Sequence, residues 1–116
     1  MSLNIKIREI DSVTIFDLDG TLDTNTSPQA EDMINESLKK GTKKMIIDLD
    51  STKYISSAGL RVFLSTAKKI MANSGTMMLA SPNKIVKDIL HVSGFNTIIE
   101  VRATVEEALH ELNSNA

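Results

Sequence analysis

Ser56 and Ser57 stand directly before Ala58-Gly59-Leu60. From Leu60 onward the apolar residues Leu60, Phe63, Leu64, Ala67 and Met71 recur at i, i+3, i+4, i+7 and i+11, the spacing of an amphipathic helix. Two hydroxyls and a glycine therefore sit at a helix N-terminus. The unpaired N–H groups and partial positive charge there accept a phosphate more readily than most surface positions do. A serine in that place is also an ordinary N-cap, worth roughly 1 kcal/mol. Gly59 inside the first turn costs up to about 1 kcal/mol relative to alanine, and close approach of another group is one explanation for it. A second chemical candidate is the pair Asp17 and Asp19, since carboxylates two residues apart point to the same side of an extended chain. The only histidines, His91 and His110, are far apart in a chain without cysteine, so no metal site is expected.

The elements that must position these residues follow from periodicity. Residues 3–7 alternate as an edge strand does, residues 9–12 read as a turn, and residues 13–18 as a second strand paired to the first in a hairpin. Residues 19–23 end that strand, and residues 24–26 are loop. Ser27 before Pro28 starts a helix whose apolar face is Ala30, Met33, Ile34 and Leu38 and which Gly41 stops. Residues 45–49 are a short apolar run that reads as a buried strand, residues 50–53 are polar loop, and Tyr54 and Ile55 return to the core. After the central helix, residues 76–80 form another buried strand, with Met77 and Met78, like Met71, read as core filler. Ser81-Pro82 repeats the cap-plus-proline start of a short helix that runs to Gly94. Residues 97–101 are a last strand, and Thr104 with Glu107 is a capping box for a final helix, with residues 113–116 a frayed tail. The order is ββαβαβαβα: a single α/β domain over residues 1–116 with a mixed, mostly parallel sheet.

The segment Tyr54-Ile55-Ser56-Ser57-Ala58-Gly59-Leu60-Arg61-Val62 resembles the phosphorylation site of bacterial anti-sigma-factor antagonists of the STAS-domain family. There an apolar residue, Asp or Ser, the phosphorylated Ser, a small residue, Gly and Leu follow one another. The resemblance makes Ser57 the phosphoacceptor and Ser56 the position where many members carry Asp. Gly20-Thr21-Leu22-Asp23 matches a second family pattern, Gly-x-Leu-Asp. By resemblance, the partner-binding residues are Asp23, Ser56, Ser57, Ala58, Gly59, Arg61 and Ser65. Arg61, Ser65, Lys68 and Ala72 line one side of the helix after the serines, which is a solvated face and, beside a phosphoacceptor, a candidate footprint. The resemblance covers nearly the whole chain and implies a STAS-like fold. It also implies two partners: an anti-sigma factor that is a serine kinase, and a phosphoserine phosphatase. The same fold can instead serve as a subunit of a transport or signalling assembly.

Phe16-Asp17-Leu18-Asp19-Gly20-Thr21-Leu22 also resembles the first motif of haloacid-dehalogenase-type phosphatases. In those enzymes the first Asp attacks phosphorus, the second is acid/base, and both help hold Mg²⁺. They need in addition a strand-end Ser or Thr, a Lys and a second acidic pair. After this motif no strand end carries such a pair, and Glu106-Glu107 lies in the last helical pattern. The phosphatase reading is set aside, and no catalytic residue, cofactor or metal is expected.

Composition bounds the rest. A chain of 116 residues with 41% hydrophobic content is one domain's worth. Thirteen basic against fifteen acidic residues, without runs of either sign, leave no nucleic-acid footprint, and three Phe, one Tyr and no Trp leave little for base stacking. No signal-peptide core and no run near the roughly 18 apolar residues of a membrane span is present. A soluble, cytoplasmic domain, monomeric when free, is the expectation.

Overall fold

The structure, a computed structural model, describes residues 2–114. β1 (Leu3–Ile10) and β2 (Val13–Leu22) form an antiparallel hairpin. The turn is Asp11-Ser12 alone, both at positive φ, 52° and 67°, the conformation whose twist suits a two-residue hairpin loop. Glu9 and Ile10, expected in the turn, belong to β1, because a charge such as Glu9 is at home on an exposed edge strand. Then follow α1 (Ser27–Lys39), β3 (Lys44–Asp48), β4 (Thr52–Ile55), α2 (Ser57–Ala72), β5 (Thr76–Ala80), α3 (Lys84–Val92), a 3-10 turn at Phe95–Thr97, β6 (Glu100–Arg102) and α4 (Val105–Ser114).

The six strands form one mixed sheet in the order β1-β2-β3-β5-β6, with β4 paired to β2; every pairing except β1 with β2 is parallel. The expected fold class holds, with one strand more than the sequence reading. β4 lies where polar residues read as loop. It forms because β2 shifts register between Gly20 and Thr21, so β3 pairs Thr14 to Asp17 and β4 takes over at Gly20, Thr21 and Leu22. Gly20 sits at this shift with φ 130°, a value side chains rarely allow. Thr52 is buried there and donates its hydroxyl to the Leu18 carbonyl at 2.6 Å.

Alternation along the strands divides the core in two. Phe16, Leu18, Ile47 and Leu79 face α1, α2 and α3, meeting Ala30, Ile34, Phe63, Ile70, Val86 and Leu90. Ile15, Ile46, Met78 and Ala80 face the other way, where Val105, Ala108 and Leu112 of α4 cover them. Each large side chain fully buried in this way is worth about 1.5–3 kcal/mol relative to exposure.

Several local expectations are corrected. Met77 and Met78 are core, but Met71 is 70% exposed, since the buried stripe of α2 runs through Phe63, Ala67 and Ile70 instead. Ser27 is no cap: it lies inside α1, behind Thr26. Ser81 does not cap α3 either. Asn83 does, accepting from the Val86 N–H at 2.9 Å while its own amide donates to the Thr52 carbonyl at 2.7 Å. The last strand starts only at Glu100, because the Thr97 hydroxyl turns back onto the Gly94 carbonyl at 2.6 Å and closes a turn. The Thr104 half of the box at α4 forms, with the Glu107 N–H on Thr104 Oγ1 at 3.1 Å, while the Glu107 carboxylate accepts from the Ala103 N–H at 3.3 Å, one residue before the cap. Of the expected frayed tail, Asn113 and Ser114 are helical, and Asn115 and Ala116 lie outside the described residues. Among the described residues, no helix is long and apolar enough to cross a membrane.

Candidate phosphoacceptor and partner site

Ser56 leaves β4 in extended backbone and caps α2: its Oγ accepts from the Gly59 N–H at 3.4 Å and its carbonyl from the Leu60 N–H at 3.0 Å. Ser57 is the first residue of the helix and is exposed. The amides of Ser57 and Ala58 precede the first intrahelical bonds, as the opening amides of any helix do. Gly59 is buried, and the close approach that its type suggested comes from the domain's own core. A Cβ there would stand 2.8 Å from Leu22 Cγ and 2.9 Å from Ile55 Cγ2, closer than packed carbons tolerate. Gly59 therefore lets α2 start directly over the end of β2.

The loop carrying Asp23 is fastened at the same place. The Ser56 N–H donates to the Leu22 carbonyl at 2.9 Å, so the residue before Asp23 and the residue before Ser57 are bonded to each other. Asp23 is half-buried, and its Oδ1 accepts from the N–H groups of Asn25 at 2.9 Å and Thr26 at 3.1 Å. The Thr26 N–H, with that of Asn25, holds the Asp23 carboxyl below its ordinary value.

Sequence reasoning passed over Thr26. Its hydroxyl donates to the Thr21 carbonyl at 2.7 Å and accepts from the Asp23 N–H at 2.9 Å. The available signal was the spacing Asp-x-x-Thr, in which short polar side chains take up free backbone N–H groups; the cap was assigned to Ser27 because Pro28 follows it. Ala58 is half-buried beside Ser57. Arg61 is exposed and Ser65 half-buried, one and two turns further along the side of α2 that begins at Ser57.

Asp17 and Asp19 do share a face of β2, but it is the face opposite to the one α2 covers. Asp17 is paired to Asp48 across the sheet. The Arg8 guanidinium lies between the two carboxylates, 3.3 Å from Asp17 and 3.2 Å from Asp48. Burial first, and the neighbouring Asp17 with it, push the Asp48 carboxyl up despite Arg8 and the Asp50 N–H. Arg8 thus pairs Asp17 with Asp48, on the neighbouring strand. No three metal-ligating side chains converge among the described residues.

A family model described as the STAS domain matches residues 4–108. The chain belongs to the STAS domain family. BtrV of Bordetella bronchiseptica, assigned as an anti-sigma factor antagonist, is 31% identical to this STAS domain over 106 residues, covering 91% of each chain. A Thermotoga maritima structure, also assigned as an anti-sigma factor antagonist, superposes with a TM-score of 0.90 at 24% identity over 94% of both chains. The Bacillus anti-sigma factor antagonist SpoIIAA superposes in its unphosphorylated form with a TM-score of 0.82 (20% identity, 96% of this chain, 97% of that one). In its phosphorylated form the TM-score is 0.72 (20% identity, 93% and 98%). At these identities the structural likenesses speak for the fold.

Proposed function

We propose that this STAS domain is an anti-sigma-factor antagonist switched by phosphorylation of Ser57. The observation that carries the reading is an exposed serine hydroxyl at the first position of α2, with the Asp23 loop bonded alongside it. The 31% identity to BtrV supports the same class. The unmodified surface around Asp23, Ser56, Ser57, Ala58, Arg61 and Ser65, with Gly59 buried beneath it, binds an anti-sigma factor that is also a serine kinase, and so frees the sigma factor. The kinase supplies ATP and Mg²⁺. The Ser57 oxygen takes the γ-phosphoryl group, its proton passes to the kinase, and ADP leaves. A phosphoserine phosphatase reverses the step. The chain itself is a cytoplasmic binding module and contributes a hydroxyl on a rigid scaffold.

Phosphorylation adds about −1.5 to −2 charges at pH 7. At the helix N-terminus that charge gains roughly 0.3–1 kcal/mol, so the fold survives. An interface fitted to a hydroxyl has to desolvate the dianion or oppose it, at a cost of several kcal/mol, and each 1.4 kcal/mol is about tenfold in affinity. The test is co-expression with the candidate kinase, followed by intact-mass and site-mapping mass spectrometry and a binding measurement. One phosphate on Ser57 and lost binding are expected, with Ser57→Asp binding weakly and Ser57→Ala binding without release. Modification at Ser56 or Thr52 instead, or a phosphorylated form that binds as tightly as the unmodified one, overturns the reading.

A further inference from the structure

Thr26 is 6% exposed, in a loop whose neighbours Thr24 and Asn25 are exposed. A hydroxyl has one proton and two lone pairs. The proton goes to the Thr21 carbonyl at 2.7 Å, and a lone pair receives the Asp23 N–H at 2.9 Å. Asp23 Oδ1, 3.3 Å away, is already served by two loop N–H groups. The hydroxyl thus bridges the residues on either side of Leu22. Leu22 is the residue whose carbonyl holds the Ser56 N–H and whose side chain fills the space left at Gly59. From one buried oxygen, bonds run outward to the Asp23 loop and, through Leu22, to the start of α2.

We propose that Thr26 is a positioning residue of the partner site: its hydroxyl holds the Asp23 carboxylate and the Ser57 end of α2 in one fixed register. The proposal deepens the reading of Asp23 and Ser57 as partner-facing and rests on it. Its physical basis is preorganisation. A loop locked before binding loses less freedom on binding, and that difference appears as affinity. With both loop N–H groups on Oδ1, the free Oδ2 of Asp23 has a set direction.

The test uses the full chain with Thr26→Val, which keeps the shape and removes the hydroxyl, and Thr26→Ser, which keeps the hydroxyl. Thr26→Ala replaces the valine variant should that one not fold. Two quantities are read: the NMR pH titration of the Asp23 carboxyl carbon, and affinity for the candidate kinase. Thr26→Ser should titrate like the parent and bind within about twofold of it. Thr26→Val should move the Asp23 midpoint up toward the ordinary Asp range and weaken binding about tenfold, with amide spectra elsewhere unchanged. A hydroxyl-free variant with the parent's Asp23 titration, or the parent's affinity, overturns the proposal. If the parent itself does not bind the kinase, the reading under Proposed function fails, and the titration still decides the role of Thr26.

Discussion

Ser27 and Ser57 carry the same hydroxyl in opposite surroundings. Ser57 is solvated at a helix N-terminus, where reaction is sterically open. Ser27 is 5% exposed, and its Oγ has no hydrogen-bond partner among the described residues. A buried hydroxyl without a partner loses its hydration for nothing in return. Ser27→Ala should therefore raise the unfolding free energy by about 1 kcal/mol in urea denaturation and leave modification of Ser57 unchanged. A stability decrease would mean that the hydroxyl is satisfied after all. The contrast also explains why residue type alone ranks serines poorly: the deciding variable is what the neighbouring elements leave around Oγ.

At the scale of elements, α4 is the sole helical cover of one sheet face among the described residues, and α1, α2 and α3 cover the other. Leu112 is 5% exposed and packs in the cluster of Val13, Ile15, Ile46 and Met78. Leu112→Ala should lower stability by about 2–5 kcal/mol, the range for truncating a buried leucine. Because the sheet lies between α4 and the start of α2, the folded fraction should still be phosphorylated on Ser57 at the parent's rate. Loss of modification at temperatures where the variant is folded would show that α4 does reach the site. Elements on the two faces are thus separable by experiment: one stabilises, the other presents.

At the scale of the whole molecule, Arg8, Asp17 and Asp48 join three strands by charge on the face away from the site. The half-buried Asp48 has a folded-state pKa above its ordinary value of 3.8, chiefly through burial. Below that ordinary value the carboxyl is protonated whether the chain is folded or not, and its ionisation costs the fold nothing. As pH rises through 3.8 toward the folded-state value, the unfolded chain releases its proton first, and the folded state loses relative stability. Asp48→Asn escapes this. Its stability relative to the parent should rise through that window and level above it, measured by denaturant unfolding at a series of pH values. A flat or falling difference would mean that the bridge to Arg8 outweighs the burial.

The sequence by itself determined the elements whose signal is local. The periodic apolar stripe of α2, the hairpin, the Thr104 cap at α4 and the buried strands β3 and β5 all follow from short-range patterns that their own side chains enforce. The resemblance of residues 54–62 singled out Ser57, and the structure has it exposed at the start of α2. What needed the tertiary structure is what depends on a distant partner. β4 exists because the register shift in β2 leaves three residues to be paired, which polar Thr52 and Lys53 do not announce. Met71 is exposed although it fits the helical period, because among the described residues no element covers that side of the last turn. Asn83 caps α3 in place of Ser81 because its amide also finds the Thr52 carbonyl across the chain. The resemblance names Asp23, but Thr26 reads as loop polarity until the fold shows its hydroxyl bonded to Thr21 and Asp23. Hydrogen bonds between residues about thirty apart carry no periodicity, so only the folded chain shows the bond that ties the Asp23 loop to the start of α2.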